Sequence, residues 1–384
     1  MKVLHIIQLN ERNSYNLFKQ WRELYDLSDH TFLVVNNRAG IANFPKFAEF
    51  EEFLYLDDLA TNKLKLLLEL RRMFAEADRI IVNSLLFVNR RVLAAMFYLL
   101  KPHLKKTTWI EWGADLYNWY DDRHRLLSGY FNRINRYIRE NVESIGLTFE
   151  YDVHFLRETI HTSAPTFFTP LPFGTDRREL LESTRPRRAR SDGVVWIQVA
   201  HNALMVNKHV ALINKLERFS DENARFIMPL SYGQFGLNGM YGGWTYSNAV
   251  KTYASRIFGS KATFLTKSVE LEHYLRYMWN VDIAVFHTQR PIALASIYYM
   301  TYMGKKIFVP SNTPQYAMFL ELGIPVFDTL EIPNMTFEEF TAPVKAGRCE
   351  YIVDKFEPYR EVRRWEELFE HIGAPLRRKE ACND

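Results

Sequence analysis

The segment Trp109-Ile110-Glu111-Trp112-Gly113-Ala114-Asp115-Leu116-Tyr117 joins an apolar run to a glycine turn flanked by two carboxylates. Such a run reads as a buried strand, and the loop at a strand's carboxyl end is where α/β folds hold functional groups. Asp115 and Glu111 are therefore candidate general bases, able to take the proton of a hydroxyl as it attacks a carbon centre. A plainer role also fits, with Asp115 capping the helix after Gly113. A second group, Val199 to His209, again leads from an apolar run into a helix. It lacks the spaced glycines of a dinucleotide fingerprint. A helix start with Asn207, Lys208 and His209 can still hold a diphosphate through backbone amides and the positive helix end; the alternative is an Asn cap followed by solvated side chains. In Phe286-His287-Thr288-Gln289-Arg290-Pro291, Arg290 is a planar five-donor cation suited to charge on a departing diphosphate, or else a surface ion pair. Ser311 and Asn312, within Pro310 to Tyr316, offer small polar groups at another strand end, or only a turn. No metal is expected. The histidines show no His-Glu-x-x-His pattern, and Asp121-Asp122 lacks the flanks of a metal-binding Asp-x-Asp.

These groups need elements to position them. Lys2 to Leu9, Thr31 to Val35, Ile80 to Val82, Thr107 to Trp112 and Ser144 to Phe149 read as buried strands alternating with helices, the pattern of a parallel sheet covered on both faces. An arginine-rich stretch interrupts the rhythm, which restarts at Val194 to Val199 and continues through Phe226 to Leu230, Ala262 to Leu265, Val281 to Phe286 and Lys306 to Pro310. A final helix is expected over Pro358 to Ile372, with Tyr359, Val362, Trp365 and Leu368 on one face. The fold class is thus α/β, with two Rossmann-like domains facing a central cleft and a C-terminal capping helix. The expected divisions are an acceptor-binding domain at 1–176, an Arg-rich linker at 177–193, a nucleotide-binding domain at 194–357, and a helix and tail at 358–384. Ligands are expected at the carboxyl ends of the strands.

With 384 residues, 47% hydrophobic and 24% charged, the chain has enough apolar side chains for large cores, and disorder is excluded as its main state. A net charge of +4 is too mild to indicate nucleic-acid binding, and the arginines of 177–190 read better as a solvated hinge. Two cysteines exclude a disulfide framework and favour a reducing cytoplasm. No export signal is read at the amino terminus. The apolar run Val92 to Leu100 falls far short of the ~20 residues that span a bilayer. Leu64 to Met73 and Arg90 to Lys106 mix Leu, Phe and Tyr with Lys and Arg, as interfacial helices do, although such stripes are more often the outer faces of core helices. The glycine-rich, aromatic stretch 233–244 reads as a mobile loop.

Trp112-Gly113-Ala114-Asp115-Leu116-Tyr117 resembles the signature of glycosyltransferase family 56, which contains the 4-acetamido-4,6-dideoxy-D-galactose transferase of enterobacterial common antigen synthesis. Asn207-x-His209-Val210, Pro229, Tyr232, Tyr274-Leu275, Asp282, Phe286, Arg290, Gly304, Pro314, Pro325 and Trp365 continue the resemblance in order along most of the chain. Two departures stand out. Ala200-His201-Asn202-Ala203-Leu204 occupies the place of a Gly-Asn-Ser-Gly-Asp type loop, and a glycine-rich insertion follows Tyr232.

The resemblance implies a GT-B architecture and an inverting transfer that uses neither metal nor other cofactor. It implies a dTDP-linked 4-acetamido-4,6-dideoxygalactose-like donor and an acceptor glycan on undecaprenyl diphosphate, in surface polysaccharide synthesis. It marks Asp115 as the leading base, with Glu111 kept as the alternative from the residues themselves. Asn207, Lys208, His209, Tyr232, Arg290, Ser311 and Asn312 become the donor-binding candidates. The expected partners are a nucleotide sugar, a lipid-linked oligosaccharide and the membrane surface, with no nucleic acid. The expected location is cytoplasmic, peripheral at the inner face of the inner membrane. Two rivals remain from the residues alone: a GT-B enzyme acting on a protein or free glycan with another nucleotide sugar, and a non-catalytic sugar-binding protein.

Overall fold

The computed structural model describes residues 1–9, 14–35, 45–59, 62–85, 97–117, 128–172, 177–188, 190–231, 245–267, 269–289, 291–344 and 349–379. Tyr232, Arg290, Asp121-Asp122 and the glycine-rich stretch 233–244 lie outside them. The chain divides into two compact units. Unit 1 comprises Met1–Thr175 with Pro358–Asp384, and unit 2 comprises Asp176–Glu357.

The strands in chain order are β1 (Val3–Ile7), β2 (Tyr25–Asp26), β3 (His30–Val34), β4 (Phe53–Tyr55), β5 (Arg79–Asn83), β6 (Thr107–Glu111), β7 (Ser144–Leu147) and β8 (Thr166–Phe168) in the first part of the chain. Unit 1 is built on a seven-stranded sheet of order β4-β3-β1-β5-β6-β7-β8, parallel throughout. The alternation of side chains across each strand decides its two faces. Leu4, Ile6, Ile80, Val82 and Trp109 enter one core with Leu70, Phe74, Leu104 and Ile138. Val3, Ile7, Ile81 and Ile110 enter another with Leu17, Trp21, Trp365 and Phe369. Runs without polar alternation are what a strand buried on both sides requires.

The C-terminal segment completes the second of these cores. Trp365 is fully buried, meets Trp21 edge-on at 5.0 Å and donates its indole N–H to the Pro170 carbonyl at 2.9 Å. The single helix expected over Pro358 to Ile372 is instead two short ones, Arg360–Arg363 and Trp365–His371, starting after Tyr359 in the left-handed region (φ 60) and broken at Arg364. Arg364 lies over the Phe168 ring at 5.4 Å while Trp365 turns inward, so the break lets neighbouring residues face different partners. A two-residue strand β15 (Arg377–Arg378) then pairs antiparallel with β2.

Unit 2 contains β9 (Val195–Val199), β10 (Ala224–Pro229), β11 (Ala262–Leu265), β12 (Ile283–Val285), β13 (Lys306–Val309) and β14 (Phe327–Asp328), in the order β11-β10-β9-β12-β13-β14. Counted within the unit this is 3-2-1-4-5-6, the doubly wound arrangement. The expected linker at 177–193 is part of this unit. It opens with the helix Arg177–Ser183, whose Leu181 is buried, and its arginines lie on tryptophans: Arg185 over Trp279 at 5.4 Å and Arg190 over Trp196 at 4.6 Å. Arg190 also binds Asp282 at 2.5 Å. Composition alone reads these arginines as solvated; Arg190 is instead largely covered by its stacking and its ion pairs, while Arg185, Arg187 and Arg188 stay exposed. Among the described residues, no helix is long and apolar enough to cross a membrane.

Candidate functional site

In unit 1 the strand order reverses between β1 and β5, and the loops after β5, β6 and β7 carry the polar groups there. Gly113, at φ 71, adopts the left-handed conformation that L side chains resist, and so turns β6 into the one-turn helix Ala114–Tyr117. Asp115 is 1% exposed. Its Oδ1 accepts the Trp112 N–H at 2.8 Å, and its Oδ2 accepts both the Leu85 N–H and the Trp109 indole N–H at 2.8 Å. The Asp115 carbonyl accepts from Arg139 Nη2 at 2.8 Å, and that guanidinium lies 4.7 Å from the Trp109 ring. Burial, partly opposed by Asp115, lowers Arg139 to about 10, which leaves it cationic at neutral pH.

Glu111 ends β6 and is fully buried. Its Oε2 accepts the Gly113 N–H at 2.5 Å, while Oε1 accepts the Thr148 N–H at 2.9 Å and the Thr148 hydroxyl at 3.2 Å. Burial, then the nearby Asp152 and Asp115, push its carboxyl well above the usual range despite the two amide bonds. Asp152 in turn accepts the Tyr117 hydroxyl at 2.5 Å. The two base candidates are thus brought together, but they differ. Asp115 accepts three N–H donors that tie β5, β6 and the turn, two on Oδ2 and one on Oδ1. It is not the expected helix cap, since its backbone partners precede its helix or come from β5's end. Glu111 likewise accepts three donors, two on Oε1 and one on Oε2, and differs in the upward shift of its carboxyl.

The unit 2 order reverses between β9 and β12. After β9, Ala200 is left-handed (φ 62), held by its N–H to the Val285 carbonyl and by its own carbonyl to Gln198 Nε2, both at 2.9 Å. The loop that replaces the glycine-rich one is stiffened from within. His201 Nδ1 lies 2.9 Å from Asn207 Oδ1, an acceptor only, so Nδ1 carries the proton; Nε2 then accepts from Asn202 Nδ2 at 2.8 Å. Asn207 Nδ2 donates to Asn202 Oδ1 at 2.6 Å and to the Leu204 carbonyl at 3.1 Å.

Of the three donor-site candidates here, Asn207 and His209 are buried, and Lys208, left-handed at φ 50, points outward at the start of the helix His209–Leu216. His209 lies with Nδ1 3.1 Å from the Tyr246 hydroxyl, and its Nε2 has no partner among the described residues. Burial and then His201 lower it to about 4, so it is neutral at physiological pH. Beyond the end of β12, His287 is lowered by burial and then by Lys215 and Lys208. Ser311 and Asn312 form an exposed turn after β13, where Ser311 N–H donates to Asp328 Oδ1 at 2.9 Å. Burial works against ionisation of Asp328, yet its Ser311 and Leu330 hydrogen bonds and Lys215 hold it below the ordinary value.

The sequence reading missed Asn83, Arg139 and Asp152 in unit 1 and His287, Lys215 and Asp328 in unit 2. Asn83, with no amide partner among the described residues, had one signal: a polar residue ending the apolar run Ile80-Ile81-Val82. Arg139 had none, because it lies among surface arginines. Among the described residues, no three His, Cys, Asp or Glu side chains are grouped to hold a metal ion.

The family model described as 4-alpha-L-fucosyltransferase, glycosyl transferase group 56, matches residues 28–336. No curated protein matches the chain. Among solved structures, HepE from Anabaena in complex with UDP is similar at a TM-score of 0.64 and 12% identity, covering 97% of this chain and 100% of that one. A glycosyltransferase from Rickettsia africae is similar at 0.61 and 11%, covering 97% and 98%. A UDP-forming α,α-trehalose-phosphate synthase from Burkholderia xenovorans, in complex with glucose-6-phosphate, follows at 0.59 and 9%, covering 97% and 100%. At such identities the likeness is one of fold.

Proposed function

The chain belongs to glycosyl transferase group 56 and is a glycosyltransferase of GT-B fold, and from that premise we propose that it transfers a deoxy-amino sugar from a dTDP donor to a lipid-linked glycan. The donor sugar is 4-acetamido-4,6-dideoxygalactose-like, the acceptor is carried on undecaprenyl diphosphate, and the reaction proceeds at the inner face of the inner membrane. Transfer inverts the anomeric centre in a single displacement and needs no metal. The observation that carries the donor half is the switch point of unit 2, where the strand order reverses between β9 and β12 and exposed Lys208 precedes the helix His209–Leu216 that follows β9. A nucleoside diphosphate placed there meets positive charge where its own negative charge grows as the sugar leaves. Arg290 and Tyr232 join this site in the proposal, and Ser311 and Asn312 border it. HepE holds UDP on a similar fold, which supports a nucleoside diphosphate as the ligand.

On the acceptor side, Glu111 takes the hydroxyl proton. Burial, Asp152 and Asp115 raise its carboxyl above the ordinary value, which makes its ionised form the stronger base. Asp115 is a positioning residue that fixes the turn in which Glu111 sits. A fucose donor is the second reading, favoured by the family's description as a fucosyltransferase.

The test is a thermal-shift panel of dTDP, UDP, GDP, CDP and ADP with and without EDTA, because a ligand selective for the folded state stabilises it. A selective dTDP shift indifferent to EDTA is expected. A preference for UDP or GDP discards the dTDP donor, and no shift with any nucleotide discards the donor site.

A further inference from the structure

Three helical segments cover one face of the unit 1 sheet: Lys63–Glu76, 97–106 and Ser128–Asn141. Inward, they supply Leu70, Phe74, Leu99, Leu104, Ile134 and Ile138 to a single core. Outward, they do not look like ordinary solvated faces. Leu64 is 68% exposed, Leu68 57%, Tyr98 57% and Tyr137 41%. Leu64, Leu68 and Arg71 follow one another at helical spacing and run towards a cavity of 110 Å³ formed by Arg71, Phe74, Tyr98, Leu99, Pro102 and His103. Lys101 Nζ stands 5.9 and 5.8 Å from the Phe97 and Tyr137 rings and so joins the second segment to the third.

The charge on this face is one-sided. Lys63, Lys65, Arg71, Lys101, Lys105 and Arg133 are exposed. The acidic residues of these segments are Glu69, Glu76 and Glu140. Arg72 already binds the first two, at 2.8 and 3.7 Å. The chain as a whole carries nearly balanced charge, Lys+Arg 49 against Asp+Glu 45.

From exposed leucines and tyrosines set among unpaired-sign cations, we propose that this face of unit 1 docks on an anionic lipid bilayer. Leucines enter the acyl boundary, tyrosines lie at the headgroup level, and lysine and arginine meet the lipid phosphates. A second copy of the chain is the poorer occupant. A two-fold contact would set this face against itself and oppose like charges. The inference rests on the lipid-linked acceptor only for its purpose; the docking itself stands or falls on lipid binding.

The experiment is co-sedimentation of the full chain with vesicles of phosphatidylethanolamine and phosphatidylglycerol, and with vesicles of phosphatidylcholine alone. The parent binds the first and not the second. Lys65→Glu with Arg71→Glu lowers the partition coefficient about 100-fold or more, each unit of charge counting roughly fivefold. Leu64→Ser with Leu68→Ser lowers it about 20-fold. Arg187→Glu with Arg188→Glu, exposed in unit 2, leaves it unchanged. All three double variants keep the parent's melting temperature, as exposed substitutions do.

Parental binding by both patch variants overturns the proposal. So does equal binding to phosphatidylcholine, or sedimentation velocity showing a dimer that the patch variants dissociate. Turnover on a water-soluble, short-chain acceptor separates the two readings. Patch variants that lose vesicle binding while a lipid-linked acceptor proves inert leave the docking face standing and remove the acceptor. Transfer to a vesicle-borne acceptor that is unchanged in the patch variants does the reverse.

Discussion

Replacing Asp115 with Asn tests whether this carboxylate builds the turn or performs the chemistry. The side chain is 1% exposed and accepts three N–H donors, two of them on Oδ2. An amide has one acceptor oxygen. Turned to serve Leu85 and Trp109, it keeps two bonds, each weaker by about 1 kcal/mol because hydrogen bonds to a charged group are worth ~1.5–3 kcal/mol and neutral ones about 1. Its NH₂ then faces the Trp112 N–H, donor against donor, at a cost of about 1–3 kcal/mol for the unpaired buried group. Relief of repulsion with Glu111 and lost attraction to Arg139 act in opposite directions. The sum is about 3–5 kcal/mol, which for a unit of this size lowers its melting temperature by roughly 10–15 °C. Scanning calorimetry with tryptophan emission reads it directly, since Trp109 and Trp112 sit on this loop. The unit 1 transition falls and the unit 2 transition stays. If Asp115→Asn melts with the parent yet loses all turnover, the reasoning is refuted and Asp115 is the base.

Four further outcomes follow from the same structure. Glu111→Gln keeps both Thr148 bonds but sets its NH₂ against the Gly113 N–H, a loss of about 1–3 kcal/mol, and its kcat drops ~10²–10⁴-fold; near-parental kcat removes it from the chemistry. Because the Glu111 carboxyl is raised on folding, its contribution to unit 1 stability is complete below 4.5 and is lost as pH rises through the folded value, so the melting-temperature profile of Glu111→Gln should lack that decline. His209 has the opposite sign. Lowered from 6.5 to about 4, it supports unit 2 fully above 6.5 and loses about 3 kcal/mol as pH falls through that window, an acid sensitivity that denaturant titrations of His209→Gln should not show. Gly146→Ala would set a Cβ 2.5 Å from Ile110 Cδ1 and 2.6 Å from Thr169 Oγ1, so urea melts should show about 1–3 kcal/mol of lost stability; an unchanged midpoint would mean β7 shifts freely.

Much of the scaffold was legible because buried parallel strands leave long apolar runs: Val3–Ile7 and Ile80–Val82 announce themselves without any partner in view. Glu111 and Asp115 were legible as a pair for a similar reason, standing on either side of Gly113 at the end of such a run. Their division of labour was not. It depends on Leu85 arriving from beyond β5 and on the Trp109 indole folding back onto Asp115, and no spacing rule records that. Asn202 illustrates the same limit, since its bonds to His201 and Asn207 turn three separate polar residues into one rigid loop. The arginine at 190 was misread because composition sees its charge and not the indole face of Trp196, whereas Arg185 is exposed as the reading had it. The terminal helix is divided at Arg364, where the backbone keeps helical dihedrals but its N–H bonds to Glu361 and Val362, while the expected apolar face of Val362, Trp365 and Leu368 is buried.

The return of residues 358–379 to unit 1 sets an order of events during synthesis. Val362, Trp365, Leu368 and Phe369 belong to a core whose other half, around Leu17 and Trp21, leaves the ribosome hundreds of residues earlier. Unit 2 is encoded as one uninterrupted stretch between them and can fold as soon as it has emerged. Unit 1 must wait, its nascent apolar face open, until translation has passed through all of unit 2. A chain released after residue 357 would therefore present a complete second unit and an unfinished first one, the species most in need of a chaperone.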